Sequence, residues 1–203
     1  MGVVEKIQRL HASFASRLDT HPFKSAKIEK TKMSRGPSRR DLSLIHLCEE
    51  VVNDHPGRVY IDLKVTAHVS HLEDEQIGYA LALYDRSAQN LTLADVNIDV
   101  AWRNKGLCTK LVERLFRLAG DRYQPRNFFI DVRPQKGSDT GVRACACYLK
   151  AIHRAWEGNV TQLRLEYESG DAVVVNDTRA EADFCQQGNL QIEGQLTWET
   201  ART

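Results

Sequence analysis

Two cations, an amide, a thiol and a glycine meet where a strand-like segment gives way to a helix-like one, in the run DVAWRNKGLCTKLVERLF at residues 99–116. A helix that begins near Gly106 presents free backbone N–H groups and the positive end of its dipole at its first turn. Arg103 and Lys105 add charge there, Thr109 adds a hydroxyl, and the glycine allows close approach. Such a corner suits a phosphate or pyrophosphate. An exposed basic turn without a ligand is the alternative, since Walker-A and G-x-G-x-x-G spacings are absent.

Carboxylates accompany this corner on the neighbouring strand-like segments. Asp95 and Asp99 share one face of the segment before it, because alternate strand residues point the same way. Asp131 lies on the next strand-like segment. Any of the three could accept a proton directly or through a water. The alternative for each is a surface carboxylate on an exposed strand face.

The remaining chemistry-bearing groups give weaker patterns. The cluster Glu73-Asp74-Glu75 could attract a cationic amine or form a solvated turn. His68 and His71 lack the spacing and carboxylate partners of a zinc site, so no metal is predicted. None of the five cysteines stands in a Cys-x-x-Cys pair, which predicts reduced thiols in a cytosolic compartment. Cys145 and Cys147 are separated by one residue and should point to different sides of a helix.

The first part of the chain carries apolar residues at helical spacing. Residues 3–18 and 41–53 predict two helices, the second capped by Asp41 and ended by Pro56-Gly57. Between them lies KSAKIEKTKMSRGPSRR, residues 24–40, with seven Lys or Arg. Its composition favours a solvated linker, and a contact with phosphates of a nucleic acid or cofactor is the alternative. No strand is predicted before residue 58.

From residue 58 onward the patterns alternate between strand and helix. An antiparallel meander is predicted from RVYIDLKVTAHV, IGYALALYD and NLTLADVNIDV. Helices follow over 106–120, ended by Gly120, and over 141–156, with the strand NFFIDVRP between them. The last strands are TQLRLEYES, AVVVND and LQIEGQLTW. This order predicts an α/β fold with a mixed, mostly antiparallel sheet flanked by helices. We therefore expect a helical segment with its basic linker at 1–57 and one α/β domain at 58–203.

Two motifs in this domain resemble those of the GNAT superfamily of N-acetyltransferases. The run RNKGLC at 103–108 resembles the signature (Q/R)-x-x-G-x-(G/A), whose loop cradles the pyrophosphate of acetyl-CoA. Ala144, Tyr148 and Lys150 match Asn-x-x-Ala-x-x-x-Tyr-x-Lys, although Gly141 replaces its Asn. The context over residues 59–168 also matches, with a meander, a long strand, the loop, a helix, a strand and a helix. Cys108 in place of a small residue, a lengthened QKGSDTG turn and the missing first strand depart from the family.

The resemblance implies a set of site residues. Tyr148 corresponds to the family's general acid, with a core aromatic whose hydroxyl lies at the surface as the alternative. Asp95 and Asp99 are the candidate bases from their position on the strand before the loop, not from the resemblance. In the family, the strand before the loop splays from its neighbour, and its amides bind the pantetheine arm and the carbonyl oxygen. The implied acetyl-CoA contacts are Ile98, Val100, Arg103, Asn104, Lys105, Gly106, Leu107, Cys108 and Thr109.

The predicted function is transfer of an acetyl group from acetyl-CoA to a primary amine of a small molecule or a protein. Two alternatives stay open: an enzyme for a longer acyl-CoA, and a catalytically silent GNAT-like interaction module that binds a protein or nucleic acid through its basic segment. A net charge of +1 disfavours a dedicated nucleic-acid binder. The absence of a signal-peptide pattern and of a run near ~20 apolar residues predicts a cytoplasmic protein without membrane contact. A homodimer is compatible with the sequence.

Overall fold

The computed structural model describes residues 45–54, 60–69, 75–133, 140–175, 185 and 190–198. The predicted helix at 3–18, the basic segment at 24–40 and most of the acidic cluster at 73–75 lie outside these residues. Within them, eight strands form one sheet in the order β1-β2-β3-β4-β5-β8-β6-β7, and two α-helices pack against it. No helix in the described part of the chain is long and apolar enough to cross a membrane.

The elements follow the predicted order closely after residue 60. The strands are β1 (Ile45–Asp54), β2 (Tyr60–Val69), β3 (Gln76–Asp85), β4 (Asn90–Ile98), β5 (Asn127–Val132), β6 (Val160–Tyr167), β7 (Ala172–Val175) and β8 (Leu190–Leu196). The helices are α1 (Leu107–Tyr123) and α2 (Thr140–Trp156). Neighbouring strands run antiparallel except β4 and β5, which are parallel. The predicted mixed, mostly antiparallel sheet with helices is confirmed.

The N-terminal edge of the sheet corrects one prediction. Residues 45–53 of the segment predicted as a helix over 41–53 lie in strand β1, which pairs antiparallel with β2 from Ile45↔Val69 to Asp54↔Ile61. Exposure alternates along Ile45–Glu50 between half-buried and exposed residues, as a strand requires. Pairing with β2 therefore overrides the local helical spacing. The prediction of no strand before residue 58 is wrong, and the sheet begins ahead of the expected domain boundary.

Both helices bury their apolar faces, and aromatic rings join them to the sheet. The ring of Trp156 stacks on Phe116 of α1 with centroids 4.4 Å apart and lies 5.2 Å from Phe128 of β5. Its Nε1 donates to the carbonyl of Phe116 at 3.1 Å. Gly120 does not end α1 as predicted. It lies inside the helix, where a Cβ would come within 2.7 Å of the Trp198 ring, so packing explains this glycine.

Four of the five cysteines form disulfides, so the prediction of reduced thiols is wrong for them. Cys108 pairs with Cys147, Cys145 pairs with Cys185, and Cys48 is free and exposed. The expectation that the two cysteines of α2 point different ways is confirmed, since each meets a different partner. Their partners lie 39 and 40 residues away in the chain, beyond the reach of any local pattern. The argument from thiols to a cytosolic compartment therefore no longer holds.

Candidate active site

A β-bulge divides strand β4 into two parts. Leu81 of β3 pairs with Asp95 and Ala82 pairs with Leu93, so Ala94 is the extra residue. Before the bulge the odd-numbered Leu91 and Leu93 are buried. After it the even-numbered Val96 and Ile98 turn inward, and Asp95 and Asn97 are exposed. Bulges re-aim side chains in this way. If Ala94 were instead a regular, paired residue of β4, the period-two alternation from Leu91 would direct Asp95 into the core.

Strand β4 parts from β5 at the same place. The two strands pair in parallel only from Asn90↔Asn127 to Leu93↔Ile130, although β4 continues to Ile98. Beyond Ile130, strand β5 pairs with β8 alone. The far end of the seam is closed by a hydrogen bond from Asn127 Nδ2 to Asn90 Oδ1 at 2.9 Å. The second half of β4 therefore keeps β3 as a neighbour and has no strand on its other side within the described residues.

The turn after β4 is fixed by its own side chains. Asp99 accepts a hydrogen bond from the backbone N–H of Ala101 at 2.9 Å and so caps a short 3₁₀-helix, Val100–Trp102. Arg103 Nε donates to the carbonyl of Ile98 at 2.9 Å. These bonds tie the start of the loop to the end of β4. The Val100 side chain is 74% exposed beside them, unusually so for an apolar residue.

Two residues of the loop adopt the left-handed backbone conformation just before α1. Asn104 has φ +62° and Gly106 has φ +74°, and a Cβ on Gly106 would meet nothing within 4 Å. The space over this glycine is therefore open at the N-terminus of α1, where backbone N–H groups point outward. Lys105 Nζ lies 5.7 Å from the centroid of the Trp102 ring. The predicted basic, open corner is present in the structure.

One residue at this corner, on helix α2, was missed by sequence reasoning. Arg143 of α2 donates from Nη1 to Asn104 Oδ1 at 3.0 Å, which brings a third cation to the corner. The two residues stand 39 positions apart, and no local signal in the sequence links them. Arg143 is exposed, so its guanidinium can reach a ligand at the loop.

Three predicted contact residues after the glycine turn away from the open side. Leu107 and Thr109 are buried, at 2% and 8% exposure, and Cys108 is bonded to Cys147. Their side chains serve packing, so any contact they make with a ligand at this corner runs through the backbone N–H groups of the first helical turn. Ile98 is likewise buried, next to Gly78.

Asp95, a candidate base, is hydrogen-bonded to a tyrosine of the neighbouring strand β3. The Tyr79 hydroxyl donates to Asp95 Oδ2 at 2.6 Å. Burial, followed by the charge of Asp95, raises the pKa of Tyr148 on α2 from 10.0 to about 12. The Tyr148 hydroxyl has no hydrogen-bond partner in the described part of the chain. No fully buried side-chain N or O atom there lacks a partner, so this hydroxyl reaches solvent.

The other two carboxylates are engaged elsewhere. Asp99 lies beyond the end of β4 and holds the cap described above, so it does not share a strand face with Asp95. Asp131 Oδ2 forms an ion pair with Arg133 Nη2 at 2.6 Å. The described residues contain no group of three or more His, Cys, Asp or Glu that could hold a metal ion.

The chain is similar to several solved acetyltransferase structures. Nourseothricin acetyltransferase is 14% identical, with a TM-score of 0.39, over 66% of this chain and 63% of that one. A spermidine N-acetyltransferase chimera from Vibrio cholerae is 10% identical, with a TM-score of 0.42, over 66% of each chain. A Bacillus subtilis acetyltransferase in complex with CoA is 14% identical, with a TM-score of 0.41, over 67% of this chain and 78% of that one. The matched region therefore spans just under two thirds of the nourseothricin acetyltransferase chain and of the spermidine N-acetyltransferase chimera. No protein-family model and no curated protein matches the sequence.

The order of elements is independent of these scores. A meander, a long strand, a basic loop, a helix, a strand and a second helix follow one another from β2 to α2. This is the element order that the resemblance in the sequence implies. The first strand, which the sequence analysis did not predict, is β1. Cys108 at the last position of the signature remains a departure, and its side chain is bonded to Cys147.

Proposed function

We propose that this chain is an acetyl-CoA-dependent N-acetyltransferase that acts on a primary amine of a small molecule or a protein. The observation that carries the proposal is the parting of β4 from β5 after Leu93, directly ahead of a basic loop and the N-terminus of α1. Strand amides without a neighbour and a helix N-terminus lie consecutively along the chain. An elongated cosubstrate with an amide-containing arm and a pyrophosphate matches that sequence of features.

The loop would hold the pyrophosphate. Gly106 leaves open space at the start of α1, where the dipole and free N–H groups favour an anion. Arg103, Lys105 and Arg143 supply positive charge around it. The pantetheine arm would then run along the second half of β4 and the turn after it, where Ile98 and Val100 offer backbone groups.

Three groups would perform the chemistry. A primary alkylammonium has a pKa near ~10 and must lose a proton before it attacks the thioester. We assign the removal of this proton to Asp95, directly or through a water. A backbone N–H of β4 would stabilise the oxyanion. Tyr148 would donate to the departing sulfur. Its pKa of about 12 keeps the hydroxyl protonated throughout the physiological range. Asp99, a candidate base in the sequence, we assign to the cap of the 3₁₀-helix.

The proposal is tested by isothermal titration calorimetry of the parent chain and two glycine variants with acetyl-CoA. Gly106→Asp places bulk and negative charge in the cradle, and we expect affinity to fall more than tenfold, about 1.4 kcal/mol. Gly158→Asp is the matched control. Gly158 also has a positive φ, +83°, and open space for a Cβ, but lies at the opposite end of α2 from Arg143.

Two results would count against the proposal. A folded Gly106→Asp variant that binds acetyl-CoA as tightly as the parent would remove the loop from the site. A parent chain without acetyl-CoA binding would favour the alternative of a catalytically silent interaction module. If acetyl-CoA binds, mass spectrometry of spermidine, a peptide with a free N-terminus and a lysine peptide, each incubated with the chain, identifies the acceptor class.

A further inference from the structure

We infer that Tyr79 is a positioning residue for Asp95 in the acetyl-transfer reaction, an inference that rests on the proposed function. Sequence reasoning did not single out this tyrosine. Its strand, β3, carries neither of the two GNAT-like motifs. The structure nevertheless brings its hydroxyl to the carboxylate that we assign as the base.

The placement follows from the register of β3 and β4. Tyr79 pairs with Asn97, and Asp95 pairs with Leu81. Tyr79 and Asp95 therefore stand diagonally across the two strands on the same face, within reach of a long aromatic side chain. The phenol donates to Asp95 Oδ2 at 2.6 Å, a short distance typical of an O–H donor bound to a carboxylate.

This hydrogen bond divides the two oxygens of Asp95 between two tasks. Oδ2 accepts from Tyr79, and the described residues provide no donor to Oδ1. One oxygen is thereby fixed while the other can face an amine or a water. Burial, the hydrogen bond and the charge of Asp95 raise the pKa of Tyr79 to about 12, so the phenol keeps its proton at any pH at which the enzyme would work.

The bulge at Ala94 makes this orientation necessary. Asp95 is exposed on a strand half that has lost β5 as a neighbour, and a carboxylate there has several rotamers of similar energy. Tyr79 is itself half-buried and anchored on a strand with partners on both sides. It can therefore hold the carboxylate in one rotamer without contacting the substrate.

The first test compares Tyr79→Phe with Tyr84→Phe in steady-state acetylation of the fastest acceptor among spermidine, an N-terminal peptide and a lysine peptide. Tyr84 lies on the same strand, and its hydroxyl donates to the carbonyl of Tyr123 at 3.1 Å, so its variant also loses one hydroxyl hydrogen bond. We expect Tyr79→Phe to lower kcat about tenfold with little change in the acetyl-CoA KM. We expect Tyr84→Phe to leave both within about twofold.

A double-mutant cycle separates positioning from a structural role. In an Asp95→Asn background, Tyr79→Phe should slow the reaction no further, because the group through which it acts is already gone. In addition, NMR titration of the tyrosine ring carbons should show the pKa of Tyr79 falling below about 12 in Asp95→Asn. This second readout requires no acceptor and no turnover.

The outcomes are distinguishable. Equal turnover of parent and Tyr79→Phe overturns the role of Tyr79 and leaves the proposed function standing. A Tyr79→Phe effect that is equally large with and without Asp95 also overturns it, since the loss would then be structural. A parent chain that transfers no acetyl group to any of the three acceptors overturns the proposed function and the role of Tyr79 with it.

Discussion

Strand β4 is only nine residues long, yet its two halves differ in pairing and in exposure. In the first half, Asn90–Leu93, strands pair on both sides and the leucines are buried. In the second half, residues 95–98, strand β5 is gone and Asp95 and Asn97 are exposed. Ala94, the bulged residue, stands between them.

The difference teaches how one strand can stabilise a sheet and also open it. The first half is held by hydrogen-bonded strands on both edges and by the burial of Leu91 and Leu93. The bulge then changes which residues face the core and coincides with the end of pairing to β5. The second half remains paired with β3, while its backbone groups on the other edge have no neighbouring strand among the described residues and the carboxylate of Asp95 is exposed. Substitutions in the two halves should therefore affect different quantities.

The largest expected effect lies in the second half. Asp95→Asn keeps the side chain's size and removes its ability to take a proton, so turnover should fall by about 10²–10⁴-fold. Acetyl-CoA affinity by calorimetry and the melting temperature should remain near the parental values, since Asp95 is exposed. Asp121→Asn, on the exposed face of α1, is the control. Turnover at the parental rate in Asp95→Asn would assign the base elsewhere.

The corresponding change in the first half should affect stability instead. Leu91 is fully buried, and Leu91→Ala should lower the free energy of unfolding by about 2–5 kcal/mol in urea denaturation. Acetyl-CoA affinity, measured where the variant is folded, should stay within about twofold. Val174→Ala, at a 54% exposed position on β7, is the matched control and should cost little. A folded Leu91→Ala variant that no longer binds acetyl-CoA would mean that the two halves are not separable.

A smaller kinetic effect is expected at Tyr148 on α2. Tyr148→Phe deletes the proposed donor to sulfur and keeps the packing of the ring, so turnover should fall at least about tenfold. The melting temperature and acetyl-CoA affinity should change little, because the hydroxyl has no partner among the described residues. Steady-state kinetics and calorimetry measure both. An unchanged rate would restrict Tyr148 to packing.

The smallest effect is a dependence of stability on alkaline pH. The pKa values of Tyr79 and Tyr148 rise from 10.0 to about 12 in the folded chain. The unfolded chain therefore releases these protons first, and the stability they contribute is complete below pH 10 and lost between pH 10 and 12. Thermal melts should show a steeper decline in this window for the parent than for a Tyr79→Phe, Tyr148→Phe double variant. Parallel curves would contradict the raised pKa values.

Much of the fold could be predicted from the sequence because local patterns and final elements agree from β2 onward. The basic corner at 103–106 could also be predicted from the sequence, since helix starts and anion sites have local signatures. Strand β1 was not, because its apolar residues fit a helix and only pairing with β2 decides the matter. The bulge at Ala94 has no sequence signature either. The grouping of Asp95 with Asp99 on one face is wrong for a separate reason, because β4 ends at Ile98, one residue before Asp99.

The remaining site contacts lie beyond sequence reasoning because they join distant positions. Arg143 reaches Asn104 across 39 residues, and Tyr79 reaches Asp95 across 16. The disulfide between Cys108 and Cys147 depends on how α1 packs against α2. Each of these pairs follows from tertiary packing, and none leaves a local spacing that could be read in advance.

The central claim is that the second half of β4 and the loop after it form the acetyl-CoA site. Hydrogen exchange measured by NMR, with and without saturating acetyl-CoA, tests it residue by residue. We expect the amides of residues 95–100 and 103–109 to exchange more slowly with the cosubstrate, while those of Asn90–Leu93, already paired on both sides, change little. Unchanged exchange at 95–109 in the presence of bound acetyl-CoA, or protection confined to other strands, would contradict the claim.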